Sequence, residues 1–398
     1  MKVDKTKWKY TRLDNLVHIL NGFAFKSDCY CQKGIRVIRI TNVQDGYIED
    51  TDPKFYPVSY SNELSKYILH ENDLLISLTG NVGRVAFLPQ EMLPAALNQR
   101  VACIRSQNST TISLEFLYFF MMNKTFKDDC IKSSKGVAQL NMSTEWLKSY
   151  IIPIPPHIEQ QAIAAELNAI QTMIDGYKAQ IADLDALAQS IFLDMFGDPV
   201  TNPKGWEIMK IGEISEVTSS KRIYQSEQTK SGIPFYKISD FPNLIEYGYS
   251  DTGIFISQAK YEELKSQKLV PNESDLLITS RGTLGLCYIV KDEDCFYFQD
   301  GMITWLKNLK STVLSAFLGF MFQSSLFKNQ IEKAQNGSTI AYLSIAMIRK
   351  FDMIVPPIKL QQHFVSQVEA IEKQKELIRQ QLTDAETLMA ERMQYYFS

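Results

Sequence analysis

Between positions 157 and 198 the apolar residues fall at Ile163, Leu167, Ile170, Ile174, Tyr177, Ile181, Leu184, Ala188, Ile191 and Met195, an alternation of four and three steps. A stripe this narrow, held over several heptads without an internal proline, predicts a coiled-coil helix rather than the wider apolar face of an ordinary surface helix. Gly176 costs ~1 kcal/mol of helix propensity but falls outside the seam. A second seam runs through Phe364, Val368, Ile371, Ile378, Leu382, Ala385 and Met389, interrupted by one polar residue, Lys375. A helix over 157–196 would be ~60 Å long at 1.5 Å per residue. That is too long to be covered by one small domain, so its natural partner is the second helix, folded back antiparallel.

The stretches before each seam have another rhythm. Short runs rich in Val, Ile, Phe and Tyr, such as residues 36–40, are broken by Gly, Asn and Asp, the pattern of a mixed α/β domain. A more helical stretch over residues 116–127 follows, then YIIPIPP or FDMIVPP, whose paired prolines end a strand and pre-set entry to a helix.

These parts occur twice. Trp8 recurs as Trp206 and GIRVIRITNV from Gly34 as GIPFYKISDF from Gly232, both shifted by 198. DLLISLTGNVG from Asp73 recurs as DLLITSRGTLG from Asp275, shifted by 202. FLYFF at Phe116, Gly136, Ser143, Pro155, Pro156, Gln160 and Gln161 recur as FLGFM at Phe317, Gly337, Ser344, Pro356, Pro357, Gln361 and Gln362, shifted by 201. Preserved order over most of the chain marks a tandem duplication with small loop insertions. The expected division is a globular domain over 1–156, a helix over 157–198, a second domain over 199–357 and a C-terminal helix over 358–398.

Composition changes little in this picture. With 398 residues, 45% hydrophobic and 22% charged, the chain is expected to bury sizeable cores. Its apolar runs fall short of a membrane span and its start lacks a secretory signal, so a cytoplasmic address is expected. The six cysteines then read as reduced thiols. A net charge of −3 argues weakly against nucleic acid, but the acid is concentrated: residues 151–198 hold seven Asp/Glu against one Lys/Arg, while residues 1–150 hold 19 Lys/Arg against 15 Asp/Glu.

The tandem domains, the two Gly-x-x-Gly turns, the Asn98-Gln99 pair and IPIPPHIEQQAIA opening a long helix together resemble the specificity subunit of Type I restriction-modification systems, over essentially the full chain. The resemblance implies an α+β architecture. Two target-recognition domains would each be followed by a long helix, the helices forming an antiparallel coiled coil with pseudo-twofold symmetry. Each domain would read one half of an asymmetric, bipartite site in double-stranded DNA. The helices would set the gap and dock two DNA-methyltransferase (modification) subunits, which carry S-adenosylmethionine, and restriction (translocase/nuclease) subunits would then join. No cofactor, metal or catalytic residue is expected on this chain. Two departures stand out: Leu360 occupies the place of Glu159, and Asp300-Gly301 follows Gln299 where Arg100 follows Gln99.

Half-sites about one helical turn apart, ~34 Å, suit two such domains held by a stiff spacer. Base reading needs Arg for guanine or Asn and Gln for adenine, with Lys and hydroxyls for phosphates. The DNA-binding candidates in the first domain are Lys26, Asn81, Arg84, Asn98, Gln99, Arg100, Lys135 and Gln139. In the second they are Lys221, Arg222, Lys237, Ser280, Arg281, Thr283, Gln299, Asn336, Ser338 and Thr339.

Blander readings compete. Most charged loop residues are merely solvated. The Gly-x-x-Gly turns lack the Lys-Ser/Thr of a phosphate loop and read as tight turns. Cys29 and Cys31 have no second pair for zinc, and His18, His70, His157 and His363 are dispersed. Two other functions remain open at this point: a fused restriction or modification enzyme, for which no Gly-rich cofactor loop or Asn-Pro-Pro-aromatic tetrapeptide is found, and a coiled-coil scaffold that reads no DNA.

Overall fold

The computed structural model describes residues 3–134, 140–335 and 342–398. The chain divides into two compact units, residues 1–179 with 379–398, and residues 180–378. Each therefore holds one globular body and a length of both long helices, His157–Phe196 and Ile358–Phe397.

In unit one an antiparallel four-stranded sheet runs Val17–Asn21, Val101–Ser106, Leu74–Ser77, Val85–Phe87. A three-stranded sheet sets Ile35–Ile38 between Phe55–Tyr56 and Ala95–Leu97, the latter pairing being parallel. Lys9–Arg12 pairs with Ile151–Ile154, the strand ended by the prolines. Leu74, Leu75 and Ile76 are fully buried, which accounts for a continuous apolar run rather than an alternating one.

Unit two repeats this plan. Its main sheet runs Glu216–Thr218, Ile303–Lys307, Leu276–Thr279, Cys287–Ile289. The register matches: Ile76 lies opposite Ala102, and Ile278 opposite Thr304. Ile233–Tyr236 pairs in parallel with Tyr297–Phe298, and Glu207–Lys210 pairs with Asp352–Val355.

The glutamine three residues into each long helix ties it to its own unit. Gln160 is wholly buried; its Oε1 accepts from Ser113 N–H at 2.9 Å and its Nε2 donates to the carbonyls of Thr111 (3.0 Å) and Pro155 (2.9 Å). Gln361 repeats the arrangement with Leu314 N–H (3.0 Å) and the carbonyls of Thr312 (2.9 Å) and Pro356 (2.7 Å). A buried amide satisfied on both ends fixes the angle at which each helix leaves its domain. The Glu159 to Leu360 departure also has its account. Trp8 Nε1 donates to Glu159 at 3.1 Å, whereas Trp206 Nε1 donates to the Phe196 carbonyl at 2.8 Å and needs no carboxylate at position 360.

Within unit one, Ile170 and Ile174 pack with Ala385, flanked by Tyr177, Leu382 and Met389. Ile163 and Leu167 instead enter the domain core, which Tyr396 joins. Glu166 accepts from Arg392 (2.5 Å) and from the Tyr396 hydroxyl (2.7 Å). Within unit two, Ala188, Ile371 and Ile378 are buried, Ile181, Leu184 and Val368 are half-buried, and Lys375 is 5% exposed with its ammonium on Asp185 (2.5 Å) and Glu372 (2.8 Å). In both units the partner number falls as the first helix advances, so the segments run antiparallel.

One end of the first seam differs from expectation. Ile191 and Met195 are only half-buried, while Phe192 and Phe196 are fully buried against Phe317 and Phe364. There the helix lies on a domain core rather than only on another helix, so the buried face is one position away from a strict heptad count. Residues 116, 117 and 119–121 are buried core, as their helical density suggests.

Candidate nucleic-acid interface

Three backbone features recur in both units; the first two border a cleft in each, and the third borders it in unit two only. The first is the turn after the central strand. Asn42 Oδ1 accepts from Arg39 N–H at 2.9 Å, and Asp240 Oδ2 accepts from Lys237 N–H at 2.8 Å. A short side-chain acceptor three residues on closes such a turn.

The second is the Gly-x-x-Gly turn. Gly80, Gly83, Gly282 and Gly285 have φ of 70°, 81°, 65° and 79°, in the left-handed region that favours glycine. A hydroxyl brackets each turn from inside: Ser77 Oγ donates to Asn81 O (2.6 Å) and accepts from Arg84 N–H (3.0 Å). Thr279 Oγ1 does the same with Thr283 O (2.5 Å) and Leu286 N–H (3.0 Å). These are tight turns.

The third feature is the segment after the parallel edge strand. Asn98 N–H donates to Ile38 O at 3.1 Å and Gln299 N–H to Tyr236 O at 2.9 Å. Gln299 is thus the counterpart of Asn98, and the match of Gln99 with Gln299 by residue identity is off by one. The hydrogen bonds set the register where identity misleads.

The unit-one cleft, about 550 Å³, is lined by Arg39, Thr41, Asn42, Gln44, Asn81 and Arg84 among others. Asn81 and Arg84 are brought together there. Lys26, Asn98, Gln99 and Arg100 are not among its walls; Lys26, Gln99 and Arg100 are exposed, and Asn98 Oδ1 caps Arg100 N–H at 3.1 Å. The two cations lining this cleft are engaged: Arg84 bonds to Gln44 and Arg39 to Asp52 (3.2 Å). Elsewhere in the unit Arg36 pairs with Asp50 and Lys127 with Asp45 (2.8 Å).

The unit-two cleft, about 700 Å³, gathers Arg222, Lys237, Arg281 and Gln299, with Gln225 and Gly301 among its other walls. Arg222 pairs with Asp300 at 2.9 Å. Lys221 is exposed beside it, its backbone held by the Tyr297 hydroxyl at 2.8 and 3.0 Å. Burial pushes the Tyr297 phenol up to about 12, so it stays a neutral donor at neutral pH. Thr283 is exposed on the glycine turn. Ser280 leaves the candidate set: it is 2% exposed and its hydroxyl meets that of Thr304 at 2.7 Å inside the sheet. A side chain just after a fully buried strand still points inward, which residue type alone does not reveal.

Lys135, Gln139, Asn336, Ser338 and Thr339 lie outside the described residues. Sequence reasoning missed Arg39, Thr41, Asn42 and Gln44. The signal existed: subtracting the repeat shift of 198 from Lys237 gives Arg39. Among the described residues, no helix is long and apolar enough to cross a membrane.

The chain matches the model of the Type I restriction modification DNA specificity domain twice, over residues 5–185 and 203–387. It is 26% identical over 286 residues to a putative type I restriction enzyme specificity subunit of Haemophilus influenzae, covering 71% of this chain and 70% of that protein. It is 22% identical over 410 residues to the EcoBI specificity subunit of Escherichia coli, covering 95% and 82%. The fold is similar to that of the crystal structure of the Type-I restriction-modification system S subunit from M. genitalium, with a TM-score of 0.61, 15% identity, and 99% and 97% of the two chains covered.

Proposed function

The chain belongs to the family of type I restriction-modification DNA specificity domains, of which it carries two copies, and on that premise we propose that it is the non-catalytic DNA-reading subunit of such a complex. Each unit reads one half of a bipartite, asymmetric site in double-stranded DNA. The two long helices pair as an antiparallel coiled coil that sets the gap between the half-sites and docks two modification subunits. Those subunits bring S-adenosylmethionine and the methyl-transfer chemistry, and restriction subunits complete the assembly.

One observation carries this reading: the two units share a frame down to individual hydrogen bonds, yet carry different side chains at equivalent places on it, Thr79 against Arg281, Arg84 against Leu286 and Asn98 against Gln299. A duplicated frame with altered side chains suits reading two different sequences, as one fold serves many sites through its loops. The test is to sequence native methylation in cells that produce this chain with its modification subunit. Two dissimilar half-sites at a fixed gap are expected; methylation without a bipartite motif overturns the proposal. The spacer role has its own test. Inserting one heptad after Ala179 and one after Arg379 keeps the seams in register and adds ~10.5 Å, comparable to ~3 base pairs at 3.4 Å each. The half-sites should persist with a longer gap, and an active complex with the old gap removes the helices from that role.

A further inference from the structure

The unit-two cleft contains one guanidinium prepared for a base. Arg281 opens the glycine turn and forms an antiparallel bridge with Tyr342. Its guanidinium lies over the Tyr342 ring, 5.0 Å from the centroid. Tyr342 is itself clamped: Gln335 Oε1 accepts from Tyr342 N–H at 2.9 Å, and Gln335 Nε2 donates to Tyr342 O at 2.8 Å. Among the described residues Arg281 has no carboxylate partner, in contrast to Arg222, and its side chain is exposed in the cleft beside Lys237 and Gln299. The neighbouring Gly282 and Gly301 leave open space where a Cβ would stand.

Each of these facts favours base reading over phosphate neutralisation. A phosphate contact needs charge and tolerates a mobile side chain, as lysine shows. Stacking on a ring whose backbone is held at both polar atoms restricts the guanidinium plane before binding, which lowers the ordering cost of a two-bond contact. The acceptor pair that fits such a fork in the major groove is O6 and N7 of guanine. Unit one has no counterpart, since Thr79 and Asn141 occupy the equivalent bridge. We infer that Arg281, positioned by Tyr342, reads a guanine in the half-site recognised by unit two, an assignment that rests on the DNA-reading function proposed above.

The experiment compares methylomes of cells producing the modification subunit with the wild-type chain, Arg281→Ala, Arg281→Lys or Tyr342→Leu. The assembled complexes are also titrated against duplexes carrying the mapped site with each base replaced in turn. Both Arg281 variants should lose preference for guanine at one position of one half-site, by roughly tenfold to hundredfold, with the other half-site and the gap unchanged. Tyr342→Leu should relax the same position less. A loss of affinity in Arg281→Ala that is equal for every base at every position, and that Arg281→Lys restores, would make the contact a phosphate one and overturn the assignment. An unchanged motif in Arg281→Ala, or half-sites without guanine, would overturn it too, while leaving the wild-type bipartite motif and the function standing. A wild-type chain that directs methylation to no bipartite motif overturns both.

Discussion

In unit one the buried carboxylate of Asp73 takes two hydrogen bonds from Arg105, at 2.7 and 2.6 Å; in unit two Asp275, in the same turn, accepts instead from the neutral Trp305 Nε1 at 2.9 Å. The contrast continues at the clefts. Each cleft holds one ion pair, Arg39 with Asp52 and Arg222 with Asp300, but unit two in addition leaves Arg281 stacked on a ring. Against these stand the glutamine anchors and the hydroxyl-bracketed glycine turns, nearly superposable in their bonding. Backbone polar groups left unpaired in a core are costly, so their partners tolerate little change. Charge pairing near solvent contributes little to stability and can be rearranged between the copies.

The largest test of the shared frame removes its anchors. Gln160→Ala and Gln361→Ala each strand a buried proline carbonyl together with an N–H and a part-buried threonine carbonyl, and each should cost about 2–4 kcal/mol in denaturant unfolding. A silent Gln361→Ala would mean that the second helix start is held by something else.

Next come the two aspartates. Asp73→Asn breaks the two-bond pair and leaves Arg105 poorly compensated, a loss of about 2–3 kcal/mol, whereas Asp275→Asn should stay within about 1 kcal/mol because an amide oxygen can replace the acceptor. Burial pushes the Asp275 carboxyl up, partly opposed by hydrogen bonds from Asn272 N–H and Trp305. Its folded value lies above its unfolded one, so its contribution is complete below the ordinary carboxylate range and declines as pH rises through the raised value. Thermal unfolding from acid to neutral pH should show the wild type losing ground to Asp275→Asn; a gain would reverse the assigned cause.

The seams offer a smaller effect. Lys375 stands where the repeat has Ile174, and Lys375→Ile should be neutral or stabilising by about 1 kcal/mol, since an apolar residue can replace a buried ion pair without loss. A large destabilisation, read by the same unfolding, would show the lysine to be required for that packing. The smallest effect concerns the clefts. Lys237→Ala should reduce the salt dependence of DNA binding by the complex by about one contact. Arg39→Ala, already neutralised by Asp52, should leave it almost unchanged. Equal slopes would erase the electrostatic difference between the units.

The duplication, the long helices, their proline-led starts and the glycine turns were all legible in the chain, because each is written in local spacing. A seam repeats every few residues, and a left-handed turn favours glycine at fixed positions. The candidate sites were half legible. Arg222, Lys237, Arg281 and Gln299 do share one cleft, but Lys26, Asn98, Gln99 and Arg100 do not join Asn81 and Arg84. Residue type in a loop indicates a capacity for contact and carries no direction.

By itself, then, the sequence determined that one unit is written twice and where each element begins, since periodicity and turn chemistry act between near neighbours. Only the tertiary structure decided that Ser280 is buried, that Phe192 and Phe196 replace Ile191 and Met195 at the end of the seam, that Arg39 is neutralised by Asp52 and that Tyr342 lies beneath Arg281. Those outcomes depend on which side chains meet across strands and loops far apart in the chain, and burial and charge pairing are properties of that meeting rather than of any one residue.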